Sequence, residues 1–281
     1  MVLERIDLYD HFQIKREGAK AGTLACYRHG QVEEMNQKVV RPAMLVIPGG
    51  GYGMVSERET EPVAMEYYHA GFDAFVLYYD VAPVCYPAQL CQAAMAMMFL
   101  RKNADALDLL PDKLAAVGFS AGGHLLGCIS TIWDDPAVKA LFGEECVKVR
   151  PDASVYSYPV VSSDEKIWHR GSFASFCGGK VRAEDYSIEK RVNSSCKPAF
   201  IWANTPDDCV PAQNSLRLYE AYLAAGVPVE LHVFRDGWHG MSVCAVETER
   251  SFPVAEACVL TRSWIGLSEN FLQSLGFAPI K

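Results

Sequence analysis

The sequence predicts an α/β protein, a doubly wound and mostly parallel sheet with helices on both faces, and three observations carry that prediction. Short apolar runs without polar alternation recur along the chain, as in strands buried on both faces. Helical patterns with their own start and stop signals separate most of these runs. One apolar run enters a glycine-flanked serine and leaves at once into a helix-compatible segment, the junction expected at the edge of an open α/β sheet.

Taken in order, residues 1–40 hold short alternating runs around 6–12 and 23–27, broken by Gly18, Gly22 and Gly30, which predict an edge hairpin or two. Residues 43–47 (AMLVI) form a continuous buried strand that stops at Pro48-Gly49-Gly50-Gly51-Tyr52-Gly53. Ser56-Glu57-Arg58-Glu59 matches a capping box and opens a helix to about His69, closed by Gly71. Residues 72–79 are the next strand, and 87–103 have helical spacing with Leu90, Ala94, Met97, Met98 and the Arg101 stem on one face. The elbow strand over 114–119 follows. Residues 153–160, 198–204 and 229–234 read as three more strands, with an amphipathic helix over 211–226 between the last two. A closing helix spans about 256–275. Residues 162–197, mixed, polar and aromatic (Trp168, His169, Phe173, Phe176), break the alternation. They are either a lid or substrate platform over the carboxyl edge of the sheet or an ordinary surface excursion.

The 281 residues, half of them hydrophobic, can fill one extensive core, so a single domain over 1–281 is expected. With 26 basic and 34 acidic residues the net charge is −8, and no Lys/Arg-rich stripe occurs, which argues against a nucleic-acid partner. Charges occupy the first residues where a signal peptide needs an apolar core, and no run of about eighteen apolar residues exists. A cytoplasmic protein without a membrane partner is therefore expected. Ten cysteines are scattered without C-x-x-C pairs, against a zinc ribbon or a secreted disulfide framework.

Gly118-Phe119-Ser120-Ala121-Gly122 has the form of a nucleophile elbow, which raises a serine hydroxyl on a sharp turn above the sheet. A serine needs a base to take its proton and an acid to orient that base, and the elbow predicts them later in the chain, in the order acid, then histidine. Asp207 stands just past the strand at 198–204, with Asp208 as its rival for the same role. His239 stands just past the strand at 229–234. His124 faces its own helix and suits packing, while His11, His29 and His69 precede the elbow and break the order. Oxyanion donors are expected from the backbone N–H of Ala121 and from the glycine loop, at Gly50 and Gly51. A phosphate cradle is disfavoured for that loop, since neither G-x-x-x-x-G-K-[ST] nor a dinucleotide fingerprint is present.

On Pro48-Gly49-Gly50-Gly51-Tyr52, Gly118-Phe119-Ser120-Ala121-Gly122-Gly123-His124, Asp207-Asp208-Cys209-Val210-Pro211 and Trp238-His239-Gly240, the sequence resembles the α/β-hydrolase superfamily. Within it, the resemblance is to small serine esterases of the acetylesterase and acetyl-xylan-esterase-like group, over about residues 40–275. It implies an α/β-hydrolase fold, Ser120 as nucleophile, His239 as base, Asp207 as orienting acid, and oxyanion donors around Gly50, Gly51 and Ala121. It also implies short acyl groups, acetyl first, on a carbohydrate such as an oligosaccharide. Pro48 departs from the histidine of H-G-G-G in relatives of the hormone-sensitive-lipase type. Ser120 stands where the dienelactone-hydrolase branch carries cysteine.

Such a triad requires no metal or organic cofactor, and the expected partner is a small ester; a homo-oligomer is compatible with the sequence. Tyr52, Trp168 and Trp238 each neighbour an expected site loop and are candidate substrate-binding aromatics. Two rival readings stand beside the esterase: a peptidase or amidase of the same fold, and a hydrolase-fold protein that binds without catalysing.

Overall fold

A computed structural model describes residues 1–249 and 258–280. The chain opens with β1 (Val2–Asp7), α1 (Leu8–Phe12), β2 (Thr23–Arg28), β3 (Arg41–Ile47), α2 (Glu61–His69), β4 (Asp73–Tyr78) and α3 (Ala88–Lys102). β5 (Leu109–Phe119) leads directly into α4 (Ala121–Thr131), then α5 (Pro136–Phe142), β6 (Ala153–Ser157) and α6 (Arg170–Cys177). β7 (Ala199–Asn204), α7 (Gln213–Ala224), β8 (Val229–Phe234), α8 (Val259–Arg262) and α9 (Trp264–Ser274) complete it.

The strands form one sheet in the order β1-β2-β4-β3-β5-β6-β7-β8. β3 to β8 are mutually parallel, and β2 runs antiparallel to both of its neighbours. Side chains alternate across the sheet: Leu45 and Ile47 enter the core shared with α3 and α4, while Met44 and Val46 enter the one shared with α2 and α9. With a helix layer on each face, the protein has the α/β-hydrolase fold. The chain winds from β3 outward to β4, then returns across β3 to β5. That reversal opens a crevice at the carboxyl ends of β3 and β5, where open α/β sheets place their ligands.

Local details differ from the sequence expectation at four places. The run at 6–12 stops being a strand at Asp7, whose carboxylate accepts from the amides of Tyr9 (3.0 Å) and Asp10 (3.1 Å) and caps α1. No capping box forms at Ser56: Glu59 turns into the interior, the chain makes a 3-10 turn over Glu57–Glu59, and α2 begins only at Glu61. Helix α5 was not expected; Pro136 starts it and the Asp135 carboxylate caps it by accepting from the Ala137 amide at 2.8 Å. The closing helix is split into α8 and α9 around Ser263, and residues 256 and 257 of the expected span lie outside the described residues. Among the described residues no helix is long and apolar enough to cross a membrane.

Candidate active site

Ser120 joins β5 to α4 with φ 51° and ψ −117°, a conformation that costs a non-glycine residue about 1–3 kcal/mol. Three backbone hydrogen bonds hold it there: its amide donates to the Ser157 carbonyl (3.0 Å), and its carbonyl accepts from His124 (3.2 Å) and Val160 (3.0 Å). Gly122 explains one glycine of the pentapeptide. A Cβ there would stand 2.1 Å from the Ile47 carbonyl oxygen and 2.4 Å from that of Pro48. The elbow helix therefore packs on the end of β3 at a distance only glycine allows.

His239, in the loop after β8, places Nε2 2.8 Å from Ser120 Oγ and Nδ1 2.7 Å from Asp207 Oδ2. Asp207, after β7, is buried; its Oδ1 accepts from the amides of Cys209 (3.0 Å) and Val210 (2.8 Å), which fixes the carboxylate plane. Asp208 is exposed on the same loop, so the carboxylate brought to the imidazole is that of Asp207. The carboxylate oxygen can only accept from Nδ1–H, which leaves Nε2 as the acceptor facing the serine hydroxyl. The serine hydroxyl, the imidazole and the carboxylate thus stand in a single hydrogen-bonded row.

The glycine loop after β3 stands across from the elbow. Gly50 has φ +114°, and a Cβ on it would meet the Met54 carbonyl oxygen at 2.2 Å. The Gly49 amide donates to the buried Glu59 carboxylate at 2.8 Å, while Gly50 and Gly51 line the cleft with Ser120. Ala121 begins α4, so its N–H has no carbonyl four residues earlier in the helix to bond. Glu59 also accepts from the Tyr158 hydroxyl (2.8 Å), which in turn accepts from the Ser242 amide (3.0 Å). One buried chain of hydrogen bonds therefore joins the glycine loop, the loop after β6 and the loop that carries His239. In the sequence Glu59 reads as a capping-box residue, and nothing local marks Tyr158 or Ser242 as more than ordinary polar residues.

The three aromatics expected to meet substrate stand elsewhere. Tyr52 is fully buried and its hydroxyl lies 2.8 Å from His124 Nδ1, so it faces the core under the loop and offers a ligand no surface. Trp168 packs partly buried against the core beside Phe173, with the Arg170 guanidinium over its ring. The Trp238 ring packs against the opposite face of the sheet, and its carbonyl accepts from Asn204 Nδ2 at 3.0 Å. The cleft, about 560 Å³, is lined instead by Met54, Glu57, Arg58, His169, Cys209 and Glu247 around Ser120, His239, Gly50 and Gly51. From the segment 162–197, His169 is what reaches it. The sequence gives no signal for it beyond its place in that segment, since no helix is expected at Arg170–Cys177.

His124, the packing histidine, is wholly buried. Its Nε2–H donates to the Tyr186 carbonyl at 2.9 Å, so Nδ1 accepts from Tyr52. Burial pushes its pKa down to about 4, partly countered by the Tyr186 bond.

Comparison with known proteins shows what the chain is similar to. The BD-FAE family model matches residues 32–160. The crystal structure of an acetyl ester-xyloside bifunctional hydrolase from Caldicellulosiruptor lactoaceticus is 32% identical, with a TM-score of 0.77, over 91% of this chain and 89% of that one. Endo-1,4-beta-xylanase B of Butyrivibrio fibrisolvens is 36% identical over 74% of this chain and 34% of its own length. The acetylxylan esterase of Xylanibacter ruminicola is 29% identical over 70% of this chain and 40% of its own. The chain thus spans about a third to two fifths of these two curated relatives.

Proposed function

Since the chain belongs to the α/β hydrolases, with the BD-FAE model matching residues 32–160, we propose that it hydrolyses short-chain carboxylic esters, acetyl esters of carbohydrates above all, through an acyl-enzyme on Ser120. The observation that carries the reading is the row Ser120–His239–Asp207 at the base of an open cleft, at 2.8 and 2.7 Å. His239 takes the hydroxyl proton as Ser120 Oγ attacks the ester carbonyl, and Asp207 stabilises the imidazolium that forms. The N–H groups of Ala121, Gly50 and Gly51 face the developing oxyanion. His239 then gives its proton to the departing alcohol, and water repeats the cycle on the acyl-enzyme. The acetyl and carbohydrate halves of the proposal draw on the relatives named for acetyl esters and xylan; the triad geometry alone supports acyl transfer.

The test is hydrolysis of 4-nitrophenyl acetate by wild type and Ser120→Ala, followed by acetate release from acetylated xylo-oligosaccharides. A loss of at least about a thousandfold in a folded Ser120→Ala variant is expected. A folded wild type as inert as the variant, and unlabelled by a fluorophosphonate, would leave a binding protein in its place. Preference for amides over esters would point to a peptidase.

A further inference from the structure

We infer that His169 contacts the substrate, donating a hydrogen bond from Nε2 to a hydroxyl or ring oxygen on the alcohol half of the ester; the inference rests on the esterase reading above. His169 lines the cleft with Ser120 and His239. Its Cε1 lies 3.8 Å from the place a Cβ on Gly51 would take, so the ring borders the glycine loop.

The protonation pattern of this ring is fixed from behind. His169 is the N-cap of α6: Nδ1 accepts from the Ser172 amide at 3.2 Å and lies 2.8 Å from the Ser172 hydroxyl. A nitrogen that accepts from an amide carries a lone pair, so the ring proton sits on Nε2. Burial and the neighbouring His239 hold the His169 pKa below its ordinary value, which keeps the ring neutral with a single N–H. Among the described residues nothing accepts from that Nε2. A donor of fixed tautomer, anchored by a helix cap and open to the cleft, is therefore presented to whatever occupies it.

The chemistry of an acetyl ester narrows what can accept. The carbonyl oxygen belongs to the backbone donors at Gly50, Gly51 and Ala121, and the methyl group accepts nothing. Acceptors other than the bridging ester oxygen lie on the alcohol, and a sugar supplies several. Arg58, Glu57 and Glu247 line the same cleft and offer further polar groups to the hydroxyls of such an alcohol.

Two substitutions separate the cleft role of His169 from its capping role. His169→Asn retains an oxygen for the Ser172 amide but withdraws the donor; His169→Gln gives up the cap and extends an amide N–H toward the place of Nε2. On a monoacetylated methyl xyloside, His169→Asn should lower kcat/KM by about 10- to 100-fold, chiefly through KM, since the bond is made in ground and transition states alike. On 4-nitrophenyl acetate, which has no hydroxyl or ring oxygen on its alcohol half, it should stay within about threefold. His169→Gln should recover most of the xyloside activity while its Tm falls by a few degrees from the lost cap. Equal losses on both substrates, or an unimpaired His169→Asn on the xyloside, overturn the inference. A wild type that cleaves 4-nitrophenyl acetate and releases nothing from the xyloside overturns the carbohydrate reading first, and this inference with it.

Discussion

The floor of the cleft and its rim are built on different principles. On the floor, Ser120, Asp207 and His239 follow directly from the ends of β5, β7 and β8, and buried hydrogen bonds from Glu59 through Tyr158 to Ser242 tie the loop that carries His239 to the glycine loop and the loop after β6. On the rim, Glu57, Arg58, His169 and Glu247 stand on 3-10 turns or at a helix start, none of them fully buried. The floor is over-determined, as the strained backbone at Ser120 requires. The rim stands on turns and a helix start, and apart from the His169 ring, held by its cap on Ser172, its side chains are not tied into the buried network; on the proposed reading the reaction is set below and the choice of substrate above.

The sharpest way to break that contrast is Gly122→Ala. The new Cβ would fall within 2.1–2.4 Å of the carbonyl oxygens of Ile47 and Pro48, backbone atoms that no rotamer change can move. A loss above about 4 kcal/mol, or failure to fold, is expected in a denaturant titration. A variant within about 1 kcal/mol of wild type would mean that the floor yields as readily as the rim.

His124 gives the second largest effect, through pH. Its pKa is about 4 in the folded protein and about 6.5 when unfolded, so between those values the unfolded chain binds the extra proton. Stability from this group is therefore complete above about pH 6.5 and is lost as pH falls toward 4, by about 3 kcal/mol in all. The structural cost is visible: a proton on Nδ1 would set an N–H against the Tyr52 hydroxyl it now accepts from, in a site closed to water. His124→Gln should show a shallower decline between pH 6.5 and 4.5 than wild type in paired urea titrations. Parallel declines would remove His124 from the account.

The same division governs what could be read from sequence. The elements of the floor announce themselves, because a parallel strand buried on both faces is a continuous apolar run and an elbow requires glycine beside serine, as at 43–47 and 118–122. Chain order and position after a strand pointed to His239 and to the pair Asp207 and Asp208, between which only the folded loop distinguishes. Tyr52, Trp168 and Trp238 misled because adjacency to a loop says nothing about which way a ring turns: Tyr52 has φ 57°, which directs it beneath the loop. Glu59 misled in the opposite sense. It matched a capping box, yet the Gly49 amide and the Tyr158 hydroxyl, 10 and 99 residues away in sequence, claim its carboxylate. His169 faces the cleft because α6 starts there, and α6 lies in the segment where no periodicity could be found.

The smallest expected effect tests the rim from its own side. Glu57 is exposed, and the turn it begins is held by its backbone: its carbonyl accepts from the Thr60 amide at 3.1 Å and from the Thr60 hydroxyl. Among the described residues its carboxylate makes no hydrogen bond or ion pair of its own. Replacing it with glutamine keeps the shape and removes one charge from the cleft wall, so folding stability should change by less than about 0.5 kcal/mol. Because charge on a solvated rim is screened and lies apart from the reacting row, kcat/KM on 4-nitrophenyl acetate should stay within about twofold of wild type. A tenfold fall in that rate would place Glu57 in the chemistry itself and end the separation of floor from rim; a change confined to acetylated sugars would locate it, with His169, on the surface that meets the alcohol.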